Sequence, residues 1–259
     1  MSHSCLYPIP THIIEVLETA RTIVVLTGAG ISAESGIPTF RQAQTGLWAK
    51  YNPEELATPK AFRSNPKLVW QWYRWRRERI TQSEPNPGHK ALVKFERNLT
   101  RNARDFILIT QNVDGLHQRS GSKNVIELHG NIMRTRCFDC NVENPDEISV
   151  FDEDLPRCKI CDGLLRPDVV WFGESIPKEA LEKAWKAANR CDVFLSIGTS
   201  GIVQPAASLP LVALKAEAAV IEVNPNPTPL TSLATFSIQG PAGMILPELI
   251  TRFGNNLLN

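Results

Sequence analysis

Four cysteines stand in two pairs, Cys137-x-x-Cys140 and Cys158-x-x-Cys161, with 17 residues between the pairs. Two such knuckles at this separation match the ligand pattern of a zinc site. Four thiolates fill a tetrahedral Zn2+ and leave no position for water, so the metal would be structural. The plain alternative is four unrelated buried thiols. A zinc ribbon that reads nucleic acid needs a basic surface, and the stretch between these knuckles is acidic.

A second group is Gly28-Ala29-Gly30-Ile31-Ser32-Ala33, which directly follows the β-branched run Thr22–Thr27. Glycines after a strand allow a tight turn and let the backbone approach a pyrophosphate closely. Many strand-to-helix turns use Gly-x-Gly, so this group alone does not decide the chemistry. No second strand with an acidic ribose ligand appears about 20 residues on, which disfavours a hydride-transfer enzyme.

A third group is Thr110-Gln111-Asn112-Val113-Asp114-Gly115-Leu116-His117, at the end of the run Phe106–Thr110. Its Gln, Asn and Asp offer donors and acceptors suited to an amide such as nicotinamide. Asn112 or Asp114 could equally be a plain helix N-cap. His129-Gly130 likewise follows the run Val125–Leu128. A histidine there is either a proton acceptor at a strand's carboxyl end or a satisfied structural residue.

These groups need a scaffold that collects strand ends. Apolar runs of strand length recur at Thr22–Thr27, Phe106–Thr110, Val125–Leu128, Val193–Ile197, Ala219–Val223 and Thr235–Ile238. Most are unbroken, the pattern of strands buried on both faces of a parallel sheet. Helical stretches at Ile13–Arg21, Gly88–Asn98, Pro177–Asn189 and Gln204–Lys215 separate several of them. The fold class is therefore α/β, a Rossmann-like doubly wound parallel sheet. Two segments break the rhythm. Ile31–Pro87 holds a helix around Pro66–Gln82, and Asn131–Val169 holds both cysteine pairs with little periodicity. Together they are expected to form a smaller inserted domain, helical and zinc-binding.

Composition narrows the function classes. The chain has 259 residues and 42% apolar content, which suits one large domain with an insertion and sets disorder aside. A net charge of +1 gives no global case for nucleic acid or a membrane surface. No apolar run approaches the roughly 18 residues of a membrane span. Locally, Lys60–Arg104 carries twelve Lys/Arg against three Glu, and Glu143–Glu182 carries eleven Asp/Glu against four basic residues. These are either two solvated faces or a basic rim that draws in anionic substrates. Met1–Ala20 lacks Lys and Arg, unlike a secretory or mitochondrial leader. With cysteines arranged as ligands rather than a disulfide scaffold, a cytoplasmic setting is expected.

The combined order of motifs resembles the sirtuins, NAD-dependent protein-lysine deacylases. The matching stretches are Gly28-Ala29-Gly30-Ile31-Ser32-Ala33-Glu34-Ser35-Gly36-Ile37-Pro38-Thr39-Phe40-Arg41, Thr110–Asp114, His129-Gly130, the cysteine quartet, Val169-Val170-Trp171-Phe172-Gly173-Glu174 and Gly198-Thr199-Ser200. The resemblance runs from about Thr22 to Leu249. It implies an NAD-binding domain over 1–34, 88–130 and 170–259, with a small domain made of a helical part, 35–87, and a zinc-binding part, 131–169.

The resemblance also implies roles. Gly28, Ala29, Gly30, Ser32 and Ala33 would meet the pyrophosphate of NAD, with Ile37, Pro38, Thr39, Arg41 and Trp48 alongside. Phe40 would cover the reactive face. Gly198, Thr199, Ser200, Asn224, Pro225, Asn226 and Ala242 would hold the ribose and adenine side. Gln111, Asn112, Val113 and Asp114 would orient the nicotinamide and its ribose, with Asn112 and Asp114 part of the catalytic group. The acyl oxygen of the substrate lysine attacks the anomeric carbon as nicotinamide leaves, giving an alkylimidate. His129 then acts as general base on a ribose hydroxyl, and an unshifted pKa near about 6.5 would suit it. The products are free lysine and O-acyl-ADP-ribose.

A finer resemblance is to the class III branch, which removes succinyl, malonyl and glutaryl groups. It rests on Tyr73-x-x-Arg76 and on Ala57 in Leu-Ala-Thr-Pro. Positions i and i+3 share a helix face, so a phenol and a guanidinium can converge on one acyl carboxylate. Ala57 would leave room for a longer acyl chain. The substrate peptide would enter as an extended strand against Val169, Val170, Trp171, Phe172, Gly173 and Glu174. Partners are then acylated lysine peptides and proteins, with no nucleic acid and no membrane; the residue pattern specifies no oligomer. The rival functions are a sirtuin acting mainly as a deacetylase, a mono-ADP-ribosyltransferase, and a module that only binds NAD or uses its zinc ribbon to bind.

Overall fold

The computed structural model describes residues 9–38, 52–144 and 155–256. In chain order its strands are β1 (Thr22–Thr27), β2 (Asp105–Thr110), β3 (Val125–Glu127), β4 (Gly130–Cys137), β5 (Glu143–Asn144), β6 (Leu165–Val169), β7 (Val193–Ile197), β8 (Ala219–Asn224) and β9 (Phe236–Gln239). The helices are α1 (Thr11–Thr19), α2 (Ala29–Ala33), α3 (Pro53–Leu56), α4 (Pro59–Ser64), α5 (Pro66–Gln82), α6 (Pro87–Arg101), α7 (Leu116–Ser120), α8 (Lys178–Ala188), α9 (Leu209–Lys215) and α10 (Ala242–Asn256).

Six strands form one sheet in the order β3-β2-β1-β7-β8-β9, every pair parallel. This is the doubly wound arrangement expected from the apolar runs. The chain leaves β1 towards β2 and β3, then returns to its other side for β7 to β9. Between β1 and β7 lies the crevice where such sheets bind ligands. The register aligns the carboxyl ends: Thr27 lies opposite both Thr110 and Ile197, and Ile197 opposite Val223. Gly28, Gln111, Gly198 and Asn224 therefore emerge along one edge.

Both faces of the sheet are covered, which is why its strands read as unbroken apolar runs. On one face Ile13, Leu17, Leu92, Phe95, Leu246 and Phe253, from α1, α6 and α10, pack against Ile23, Val25 and Leu195. On the other, Ala184, Leu209 and Ala213, from α8 and α9, pack against Val24, Leu26 and Phe194. Asn86 starts α6 by accepting from the Gly88 amide at 2.9 Å, with Pro87 at the first helical position. The same side chain donates to the Ile31 carbonyl at 2.7 Å, which ties α6 to the Gly28 turn.

The two segments that break the βα rhythm share one apolar cluster containing Phe62, Trp70, Trp72, Tyr73, Ile132 and Trp171. Two side chains of α5 bind the strand backbones there: Trp70 Nε1 donates to the Leu165 carbonyl at 2.8 Å, and Arg77 Nε to the Ile132 carbonyl at 2.6 Å. The region expected to hold little regular structure contains an antiparallel sheet, β5-β4-β6. Its solvent side carries Arg134 and Met133, and its pairing shifts register between Asn131 and Thr135, which hides the strand alternation. The expected helix over Gln204–Lys215 is instead a 3-10 turn (Ala206–Ser208) running into α9, with Pro205 and Pro210 at the two starts. Among the described residues no helix is long and apolar enough to cross a membrane.

Candidate active site

Three glycines bring the β1 and β7 turns into contact. The Gly28 amide donates to Ile197 O at 3.0 Å and the Gly30 amide to Gly198 O at 2.9 Å. A Cβ on Gly30 would meet Gly198 Cα at 2.6 Å, and one on Gly198 would meet the Ile31 nitrogen at 2.6 Å. Gly198 also holds φ +61°, which L side chains rarely adopt. The glycines thus let two backbone turns pack directly on one another at the switch point, the place where sheets of this kind bind a dinucleotide.

A buried polar group is wired to this turn. Asn112 Nδ2 donates to Gly28 O at 3.0 Å and to Ser32 Oγ at 3.1 Å. Ser32 Oγ donates to Asp114 Oδ2 at 2.7 Å, and the Leu116 amide donates to Asp114 Oδ1 at 2.9 Å. Burial pushes the Asp114 carboxyl up; those two bonds and the positive Arg76 pull against it without cancelling it. The N-cap of α7 is Gly115, so Asp114 sits one residue before it and holds the Leu116 amide in a local turn rather than as an N-cap. Its other oxygen is committed to Ser32, and so to the glycine turn.

His129 follows β3, and its Nδ1 lies 3.0 Å from the Gln111 carbonyl. A carbonyl only accepts, so Nδ1 carries the proton and Nε2 is left as the basic nitrogen. Burial lowers the His129 pKa, partly opposed by this hydrogen bond. The unshifted value expected from the sequence is therefore corrected: the ring is partly buried, and desolvation disfavours its charged form. The backbone is fixed too. The Val170 amide donates to His129 O at 2.9 Å, and Gly130, at φ +77°, lies so close to β6 that a Cβ would meet Asp168 O at 2.2 Å.

The segment Val169–Glu174 is not an extended strand throughout. Val169 ends β6, and Trp171–Glu174 form a turn in which the Glu174 amide donates to Trp171 O at 2.9 Å. Gly173, third in the turn, holds φ +86°, which explains the glycine in Trp-Phe-Gly-Glu. The Phe172 amide donates to Ala57 O at 2.9 Å, and the exposed Phe172 side chain points outward. Ala57 itself is buried in the cluster around α5.

On α5, the Tyr73 hydroxyl accepts from Trp171 Nε1 at 2.8 Å. The Arg76 guanidinium lies 5.6 Å from the Tyr73 ring centroid and 4.8 Å from that of Trp72. Burial lowers the Arg76 pKa, opposed by Tyr73 and by the charge of Asp114. The helix-face pair expected from the sequence thus lies together, with Arg76 within electrostatic reach of Asp114.

Further along the same edge, Asn224 Nδ2 donates to Thr199 O at 2.6 Å and Thr199 Oγ1 pairs with Ser196 Oγ at 3.1 Å. Ser200 is exposed at the rim, and Pro225 O accepts from Gln239 Nε2 at 3.1 Å beside Asn226. Ala242 begins α10, buried against Gly88. Ile37 and Pro38 follow α2, partly buried. Thr39, Phe40, Arg41 and Trp48 lie outside the described residues. Thr110 and His117 stand within the third sequence group and Thr27 ends the first apolar run, but the sequence assigned none of them a role. Thr27 Oγ1 pairs with Thr110 Oγ1 at 2.9 Å and with His117 Nε2 at 2.9 Å, and Thr110 Oγ1 accepts the Asn112 amide at 3.0 Å. The Thr at each strand end was the available signal.

The four cysteine sulfurs lie within 4.8 Å of one another. Cys137 and Cys161 sulfurs are 3.4 Å apart and those of Cys140 and Cys158 3.7 Å. Tetrahedral sulfurs about 2.3 Å from zinc would sit roughly 3.8 Å apart, so the quartet fits that ion. The knuckles repeat one another: the Cys137 amide donates to Val142 O and the Cys158 amide to Gly163 O. Each puts a left-handed residue after its second cysteine, Asn141 (φ 62°) and Asp162 (φ 60°), types that tolerate that conformation. With every position filled by sulfur, the ion would hold β4 to the loop before β6.

The Sir2 family model matches residues 28–205, more than half the chain. The chain belongs to the Sir2 family. An NAD-dependent protein deacylase of Aquifex aeolicus is 58% identical to this sirtuin over 227 residues, 88% of this chain and 93% of that one. A solved Sir2 homolog–NAD complex superposes with a TM-score of 0.90 at 45% identity, covering 98% of both chains. A mutant Sir2 homologue bound to 2'-O-acetyl ADP ribose gives 0.88 at 46% identity, over 96% of this sirtuin and 98% of that chain.

Proposed function

We propose that this sirtuin, an NAD-dependent protein-lysine deacylase, favours acyl groups that end in a carboxylate: succinyl, malonyl and glutaryl, with acetyl also removed. Its substrates are then acylated lysine peptides and proteins, and its products nicotinamide, free lysine and O-acyl-ADP-ribose. One observation carries the acyl reading: the half-buried Arg76 guanidinium lies 5.6 Å from the Tyr73 ring centroid, beside the buried wall that Tyr73 forms with Trp171. A carboxylate cannot enter such a wall unpaired, because burying a lone charge is very costly. Arg76 supplies the countercharge, and charge-assisted hydrogen bonds are about twice as strong as neutral ones.

The other residues act in order along the sheet edge. The Gly28, Gly30 and Gly198 turns bind the pyrophosphate; Asn112, Ser32 and Asp114, linked by hydrogen bonds, orient the ribose end. NAD supplies an activated anomeric carbon when bound. His129 accepts a ribose hydroxyl proton at Nε2, the nitrogen its bond to Gln111 leaves unprotonated. The turn Trp171–Glu174 and its bond to Ala57 form one wall for the peptide, whose main chain gains little sequence readout there, so selection falls on the acyl group.

Side-by-side turnover of succinyl, malonyl, glutaryl and acetyl versions of one peptide tests this. A higher kcat/KM for the acidic acyl groups is expected. A preference for acetyl would make the protein mainly a deacetylase.

A further inference from the structure

We propose that Trp171 is a specificity-positioning residue, whose indole N–H orients the Tyr73 hydroxyl towards the acyl carboxylate; this rests on the acidic-acyl reading above. The geometry is a relay of fixed groups. Trp171 Nε1 donates to the Tyr73 oxygen at 2.8 Å, and both side chains are 1% exposed. Indole nitrogen is a donor only, and so is guanidinium. With Trp171 donating to the phenol oxygen and the Arg76 guanidinium carbon 5.6 Å from the Tyr73 ring centroid, neither neighbour can accept the phenol's own hydrogen. It is directed to a third group, where an acyl carboxylate would accept it.

The indole is itself clamped. Arg166, 2% exposed, lies with its guanidinium carbon 3.3 Å from the Trp171 ring centroid. Arg166 Nη2 donates to Val169 O at 2.6 Å and to Glu174 Oε2 at 3.0 Å. Glu174 closes the arrangement by accepting the Trp171 amide at 2.8 Å, while its own amide donates to Trp171 O. Phe62 also packs against the ring, with centroids 5.3 Å apart. The ring is therefore held in plane and in rotation, more constraint than a purely apolar wall residue needs. A phenylalanine would fill most of the same space. The indole N–H is the feature a phenylalanine lacks, and it is spent on Tyr73.

The test is a double-mutant cycle on kcat/KM for succinyl and acetyl versions of one peptide, in the full-length enzyme. Trp171→Phe removes the donor, and 3-benzothienylalanine at position 171 replaces only N–H by sulfur, which covers the case where the phenylalanine variant folds poorly. The succinyl-to-acetyl ratio is expected to fall about three- to tenfold, the scale of one hydrogen bond, through KM for the succinyl peptide. In a Tyr73→Phe background the same change should leave the ratio where Tyr73→Phe alone put it. An equal loss for both peptides, or a lowered ratio in Tyr73→Phe with none in either position-171 variant, would overturn the role of Trp171. A ratio that Tyr73→Phe and Arg76→Met also fail to move would overturn the acidic-acyl reading itself, and this inference with it.

Discussion

The His129 imidazole and the Gln111 carbonyl form a hydrogen bond of 3.0 Å whose polarity is fixed, because the carbonyl can only accept. That single contact sets the tautomer and turns Nε2 into a base before any substrate arrives. It also joins the end of β3 to the end of β2, two strands that pair as neighbours in the sheet.

Two consequences follow for activity. His129→Ala should lower deacylation by at least about a hundredfold, the usual scale for a lost general base, while NAD binding largely survives. Burial lowers the His129 pKa, so the neutral base persists below the ordinary value of 6.5. Activity should therefore hold as pH falls to that value and be lost only further down, on the acid limb of kcat/KM. A limb centred above 6.5 would contradict the assignment.

Much of this was legible in the sequence because it depends on strand ends. The apolar runs from Thr22, Phe106, Val125, Val193, Ala219 and Thr235 gave six parallel strands, since burial on both faces leaves no polar alternation to misread. The groups just after those runs then had to share one edge. What was not legible depends on context. The strand β4 carries Met133 and Arg134 outward, and its pairing with β6 is closed by the cysteine knuckles rather than by any periodic pattern. The helix α10 went unread because Gly243 and Pro247 interrupt it; Glu34 anchors its start by accepting the Gly243 amide at 2.6 Å, a contact 209 residues apart in sequence. The His129 shift needed the burial that only the fold supplies.

The glycine cradle gives a second prediction. Gly198→Ala would place a Cβ 2.6 Å from the Ile31 nitrogen in a left-handed residue, at a cost of about 1–3 kcal/mol. Thermal melts should show a lower Tm, and calorimetry a weaker Kd for NAD. Wild-type NAD affinity in that variant would detach the turn from the dinucleotide.

Zinc gives a third. Cys137→Ala removes one of four ligands and should destabilise the β4–β6 region, because ion binding and folding are coupled there. Elemental analysis of pure wild-type protein should find about one zinc per chain. A folded, active preparation without zinc would defeat the structural site.

A fourth concerns acid stability. The His89 and His117 rings lie tilted against one another with centroids 4.9 Å apart, and burial pushes their pKa values down to about 4 and about 3. An unfolded histidine titrates near 6.5, so below that pH the unfolded chain takes up protons the folded chain refuses. Stability should begin to fall below about 6.5 and go on falling to about 4 for His89 and about 3 for His117. Above 7 the pair contributes no slope. Urea denaturation between pH 8 and 5 checks this; replacing both by Gln should flatten the curve.

The central claim, that Arg76 pairs with the acyl carboxylate, has one direct measurement: the ratio of kcat/KM for succinyl to acetyl peptides in Arg76→Met. Methionine keeps much of the bulk and removes the charge. Because Arg76 also acts on Asp114, a change common to both peptides is expected and cancels in the ratio. Losing a buried charged partner costs about 3–5 kcal/mol, so the ratio should fall by roughly two to four orders of magnitude. If both activities fall equally and the ratio stands, Arg76 is a structural residue and the acidic-acyl assignment is wrong.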